Sequence, residues 1–219
     1  EHVINSRLAL VATLGGKATQ TRMLVPPRYA SSPPEEIPPL ATPVIGFQLG
    51  AANTYKIWPA ERFGELAARL LAWKPGLTIV LTGTAKESDL AQVVVTHCND
   101  ARVQDHCGGY SVESLPWLLR QLAMLVTNDT GTMHLAIALG IPTVSLFGLT
   151  SSAAIGPFQD LPLHRVVQAS ELDEQHLTKK ERSNRAMLSI STDAVFELVT
   201  RHFAHLYPDA HPPAHRSIA

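Results

Sequence analysis

Two loops of the 219-residue chain concentrate residue types suited to holding an anion. The first is GAANTYKIWP, residues 50–59. Small residues at Gly50, Ala51 and Ala52 let backbone N–H groups approach a ligand closely. Lys56 adds a point charge suited to phosphate. The same stretch also reads as a capped loop with a solvent-exposed lysine. The second is LVTNDTGTMHLAIALG, residues 125–140, where a strand runs into a helix through Asn128, Asp129, Thr130 and Gly131. Free N–H groups of Thr130, Gly131 and Thr132 at a helix start equal about half a positive charge, which favours an anion. A carboxylate beside a diphosphate repels it, so Asp129 is expected as the N-cap, with Thr130 and Gly131 facing the ligand. His134 is expected one turn into the helix, on the face of Thr130 and Gly131.

Two further strand ends carry polar groups. In TGTAKES, residues 82–88, Glu87 can accept from ribose hydroxyls, as acids near strand ends do in nucleotide-binding folds. Glu87 reads equally well as a first-turn acid complementing a helix dipole. Phe147-Gly148-Leu149-Thr150 ends another strand, with Gly148 able to take a positive φ and Thr150 or Ser151 offering hydroxyls.

Several chemistries lack their residues. There is no GxGxxG after a strand and no GxxxxGK[ST], which argues against dinucleotide and P-loop sites. There is no GxSxG elbow, no HExxH and no Asp-x-Asp pair to hold a metal on a diphosphate, so no metal site is expected. The net charge of -1 gives no global argument for nucleic acid, and none is expected as a partner. Lys179, Lys180, Arg182 and Arg185 read as a solvated basic surface, or as one that meets an anionic acceptor. Cys98 and Cys107 fit neither a zinc spacing nor a disulfide framework, and read as free thiols in a reducing compartment. No apolar run approaches the roughly 18 residues of a membrane helix.

The elements that must position these loops alternate. Apolar runs at 44–49, 77–81, 123–127 and 143–147 read as strands, with weaker ones at 101–104 and 165–168. Helices are predicted over about 59–73, 87–97, 114–121, 131–139 and 192–206. In the first, Phe63, Leu66, Ala67, Leu70 and Leu71 share one face. Alternating strands and helices imply βαβ units and a doubly wound, Rossmann-like parallel sheet, an α/β fold. Runs apolar on both faces fit strands covered on both sides. With the strand order 3-2-1-4-5-6, the switch point lies between the first and fourth strands, where ligands bind. The loops after those strands are the two described first.

The proline-rich stretch 26–43 reads as an extended linker. Residues 1–25 read as an amphipathic helix ended by Gly15-Gly16, either an arm on this domain or the last element of a preceding one. The domain itself is placed at 44–207, and 208–219 as a frayed tail.

These residues carry a resemblance. Lys56-Ile57-Trp58-Pro59, followed by Glu61-Arg62-Phe63 and Glu65-Leu66-Ala67, resembles a stretch of glycosyltransferase family 9, the lipopolysaccharide heptosyltransferases. Asn128-Asp129-Thr130-Gly131, with His134-Leu135-Ala136 and Gly140, resembles its second signature. Phe147-Gly148-x-Thr150 and Met187-x-x-Ile190 also fit, over residues 41 to about 205. The resemblance implies the C-terminal half of a GT-B fold, binding a nucleotide-sugar donor such as ADP-heptose with no further cofactor. It implies Lys56 at the diphosphate or sugar, Thr130, Gly131 and His134 at the phosphates, Asp129 shaping the loop or touching the sugar, and Glu87 at the ribose. Ala51 and Ala52 stand where relatives often have hydroxyls, and Lys and Arg stand after the fifth strand where some members carry a Cys cluster. The implied reaction is inverting and metal-independent transfer to a lipopolysaccharide-core or other glycan acceptor. The general base is expected in an N-terminal domain missing from this chain, whose last helix residues 1–15 resemble. The implied place of work is the cytoplasm, at the inner face of the membrane. A non-catalytic nucleotide or nucleotide-sugar module, and an interaction domain whose loops only cap helices, are the alternatives.

Overall fold

The computed structural model describes residues 1–17, 21–26, 39–41, 43–169 and 178–208. Most of the expected linker and nearly all of the expected tail lie outside the described residues. Six strands form one sheet: β1 (Val44–Gln48), β2 (Thr78–Thr82), β3 (Val103–Asp105), β4 (Met124–Asn128), β5 (Thr143–Phe147) and β6 (His164–Gln168). Their order is 3-2-1-4-5-6 and every pairing is parallel, as the alternating pattern implies. β1, β2, β4 and β5 are buried at every position, because helices cover both faces. Among the described residues eight α-helices accompany them: α1 (Val3–Thr13), α2 (Ala60–Trp73), α3 (Ser88–Cys98), α4 (Leu115–Arg120), α5 (Gly131–Ala138), α6 (Ser152–Ile155), α7 (Lys179–Ser189) and α8 (Thr192–Leu206).

The period of two along β1 divides the core. Ile45 and Phe47 face α2, α3 and α8, joining Phe63, Leu66, Leu70, Val94, Val199 and Phe203. Val44 faces the opposite layer with Leu118, Leu119 and Ala136 of α4 and α5. The predicted face of α2 is the buried one, with Phe63, Leu66, Ala67 and Leu70 fully enclosed. Each such side chain contributes about 1.5–3 kcal/mol by leaving water. Trp58, just before α2, stands edge-on to Phe63 with ring centroids 4.9 Å apart and fixes the entry angle of the helix.

Two expectations need correction, and one helix lies where the apolar pattern marks none. α1 buries no residue and has little amphipathic character; Leu10, Val11 and Leu14 are exposed. It touches α6, and His2 holds its start by stacking on Phe158 and pairing with the Gly156 carbonyl at 3.1 Å. The basic cluster 179–185 is helical: Thr178 and Glu181 form a capping box that starts α7, and Ala186 and Met187 bury its end. Among the described residues the glycines with positive φ are Gly15, Gly108 and Gly140, so Gly148 turns without it.

Candidate donor site

The carboxyl ends of β1, β2 and β4 converge on one open cavity of about 600 Å³. Gln48, Gly50, Ala51 and Ala52 supply the β1 side. Thr84, Ala85, Lys86 and Glu87 supply the β2 side, and Thr130, Gly131 and Thr132 the start of α5. The position is the one expected for a doubly wound sheet, because the connections leaving the adjacent strands β1 and β4 run in opposite directions there.

Asn128 joins the two principal loops. Its side-chain N–H₂ donates to the carbonyls of Gln48 (3.3 Å) and Leu49 (2.8 Å), and its side-chain oxygen accepts from the Trp58 N–H (3.1 Å). It is fully buried, so these bonds satisfy a group that would otherwise be costly to enclose. The Trp58 indole donates to the Ile190 carbonyl at 2.9 Å, and Arg62 donates to the same oxygen. α7 packs against the turn Thr54–Lys56 and supports it from behind.

That support fixes Lys56. Its Nζ donates to Asp129 Oδ2 at 2.6 Å, with side-chain exposures of 22% and 7%. Asp129 is therefore a salt-bridge partner and not the N-cap. The N-cap is Thr130, whose Oγ1 accepts from the Thr132 N–H at 3.0 Å. Extended backbone at Thr130 puts its own hydroxyl within reach of that amide, while Asp129 turns toward the nearer ammonium. Lys56 lies beside the cavity and does not line it. An ammonium has three N–H donors, so the bond to Asp129 leaves others.

The capping role of Glu87 uses one of its two carboxylate oxygens. Oε2 accepts from the N–H and hydroxyl of Thr84, each at 2.7 Å, completing a capping box. Oε1 lies against Gly50, where an added Cβ would meet it at 2.7 Å. A side chain at Gly50 would thus displace the Glu87 carboxylate, which occupies that volume.

Other expected residues lie apart from this cavity. His134 turns toward α4 and lines a separate, mostly apolar cavity of about 310 Å³ with Met23, Leu24, Val112 and Pro116. Burial lowers its pKa below 6.5, partly opposed by Asp129 and reinforced by His2 and Arg7. Gly148 and Thr150 also lie outside the main cavity, and their carbonyls accept from the Gln168 side chain at 2.5 and 3.3 Å. Conversely, Gln48, Thr84, Ala85 and Lys86 line the cavity although their types and spacing do not mark them as ligand-binding. A polar residue inside the apolar run VIGFQL is the available signal for Gln48. Among the described residues no three His, Cys, Asp or Glu side chains cluster as a metal site. No helix of these residues is long and apolar enough to cross a membrane.

Comparison with known proteins gives the family of the chain. Lipopolysaccharide heptosyltransferase 2 of Salmonella typhimurium is 34% identical over 113 residues, which is 50% of this chain and 32% of that protein. Lipooligosaccharide heptosyltransferase 2 of Haemophilus influenzae is 25% identical over 161 residues, 71% of this chain and 46% of that protein. The chain thus spans a third to a half of the length of these curated relatives. The E. coli ADP-heptose lps heptosyltransferase II structure superposes with a TM-score of 0.64 at 26% identity, covering 76% of this chain and 48% of that one. E. coli heptosyltransferase WaaC with ADP shares the fold, with a TM-score of 0.65 at 22% identity over 88% of this chain and 53% of that one. Its neighbours being GT-B heptosyltransferases, the sheet is the α/β architecture of that fold. The model of glycosyltransferase family 9 (heptosyltransferase) matches residues 1–188, reaching from α1 through most of α7 and across every strand of the sheet, and the chain belongs to that family.

Proposed function

We propose that this chain is the donor-binding part of a glycosyltransferase that moves heptose from ADP-heptose to a lipopolysaccharide-core acceptor, by an inverting and metal-independent route. The observation that carries this reading is the switch-point cavity, with a helix N-terminus on one wall and a carboxylate on the other. In the proposed reaction an acceptor oxygen attacks the anomeric carbon from the side opposite the diphosphate. The anomeric carbon–oxygen bond breaks, and its electron pair leaves with ADP. The amide at Gly131, with Lys56 beside it, stabilises that departing charge. Glu87 Oε1 accepts from the ribose, and Ala51 and Ala52 admit the diphosphate close to the backbone. Thr130 donates its hydroxyl hydrogen while its oxygen caps α5.

The acceptor base is assigned to the remainder of the protein. Asp129 is tied to Lys56, Glu87 is half committed to its capping box, and His134 faces another cavity. Work at the cytoplasmic face of the inner membrane follows from the same assignment. The test is calorimetry of the purified chain with ADP and with adenosine. ADP should bind more tightly, and addition at 100 times its Kd should raise the melting temperature by about 5–10 °C. Absence of ADP binding would overturn the assignment. The same committed side chains also suit a nucleotide-sugar binding module without catalysis, which turnover assays of the full-length protein separate from the enzyme.

A further inference from the structure

Gln48 closes β1 at the floor of the cavity, with only 7% of its surface exposed. Its amide is oriented: Thr82 Oγ1 donates to Gln48 Oε1 at 2.9 Å. That bond draws the side chain toward β2, the strand leading to Thr84 and Glu87, and away from the start of α5 on β4. The amide nitrogen has no partner among the described residues. A nearly buried donor without an acceptor is costly, and its remaining surface opens on the cavity. Beside it Glu87 Oε1 presents an acceptor against Gly50. One donor and one acceptor therefore face the same side of the cavity, away from the helix N-terminus.

A hydroxyl group both donates and accepts, and a vicinal diol matches such a pair. We propose that Gln48 is a specificity-determining residue: its Nε2 donates to a ribose hydroxyl oxygen while Glu87 accepts a ribose hydroxyl hydrogen, so the site selects ribonucleotide over deoxyribonucleotide donors. The inference rests on the donor-site reading above. Built polar groups left without their hydroxyl discriminate strongly against analogues that lack it.

The test is calorimetry of the purified chain with ADP, 2′-deoxy-ADP and 3′-deoxy-ADP. Gln48→Met, apolar and of similar size, should weaken ADP about three- to tenfold. It should leave the affinity for one deoxy analogue within about twofold, because that analogue already lacks the partner. Equal weakening of ADP and both analogues would overturn the proposal. Thr82→Val keeps the shape of the strand and releases the amide from its orienting bond. It should produce the same selective loss of ADP affinity, and full discrimination in that variant would also overturn the proposal, even where Gln48→Met fails to fold. A wild-type chain that binds no ADP refutes the donor-site reading itself. A chain that binds ADP and both analogues equally refutes only the role of Gln48.

Discussion

Lys56 and Asp129 are 73 positions apart and 2.6 Å apart in space. Deleting the ammonium leaves the Asp129 carboxylate, 7% exposed at its side chain, facing the start of α5 without its counter-charge. Lys56→Ala should lower unfolding free energy by about 1–3 kcal/mol, read from urea melts. It should also weaken ADP more than adenosine, since only ADP carries the charge that Lys56 meets; equal losses would count against the diphosphate role. Lys56→Ala with Asp129→Ala should recover most of the stability, because neither partner is stranded, without restoring the preference for ADP. Residue types alone identified both groups, and the phosphate chemistry of a lysine is legible from its loop. Their pairing is not, because it depends on where β1 and β4 end relative to one another. His134 shows the same gap: its spacing from Gly131 is fixed by the helix, but the direction of its ring is set by α4 and residues 23–26.

At the scale of elements, the β1 loop and the capped start of the 85–87 turn share one volume. A Cβ on Gly50 would fall 2.6–2.7 Å from the Glu87 carboxyl group, the movable end of a flexible side chain. Gly50→Ala should therefore change the melting temperature little, yet displace Glu87 and weaken ADP; calorimetry beside a thermal melt separates the two effects. Affinity unchanged by this substitution would remove Glu87 from the site. Thr130→Ala tests the opposite wall. It removes the N-cap of α5, which costs about 1 kcal/mol, and it uncovers the Thr132 amide. Stability measured by urea melts should fall by that amount, with a further loss of ADP affinity if the hydroxyl also meets the ligand. Most elements here are legible in sequence for a physical reason. Strands buried on both faces must be continuous apolar runs, and α2 repeats its apolar residues at helical spacing. α7 escaped because its first two turns carry no apolar face, and its start is defined by the Thr178–Glu181 box. α1 reads as amphipathic from its apolar residues, but Arg7 falls in the middle of their arc and none of them is buried.

Across the whole molecule, two half-buried histidines and one fully buried hang on separate parts of the sheet: His106 after β3, His134 on α5 and, enclosed, His202 on α8. Burial is the leading cause of a lowered pKa in each, partly opposed by Asp105 at His106, by Asp129 at His134 and by the Leu163 carbonyl at His202. His202 is the clearest case. Its Nε2 donates to the Leu163 carbonyl at 3.0 Å, and its Nδ1 is buried without a partner, so protonation would add an N–H with no acceptor. With each folded pKa below the ordinary 6.5, the unfolded chain takes up more protons as pH falls. Their contribution to stability is fully present above about pH 6.5 and fades as pH drops toward the folded values. The carboxylates with lowered pKa, Asp100 at about 2 and Asp160, start from 3.8 and act only in more acid solution. The urea midpoint should accordingly be flat near pH 7.5 and decline between about pH 6.5 and 5. His202→Gln, neutral throughout and able to donate to Leu163, should make that decline shallower. A midpoint that holds steady through the window would mean that the three imidazoles take up protons as readily in the folded sheet as in the open chain. The packing of α8 against β6, and of α4 and the 23–26 segment around His134, would then be looser than the burial of these rings requires.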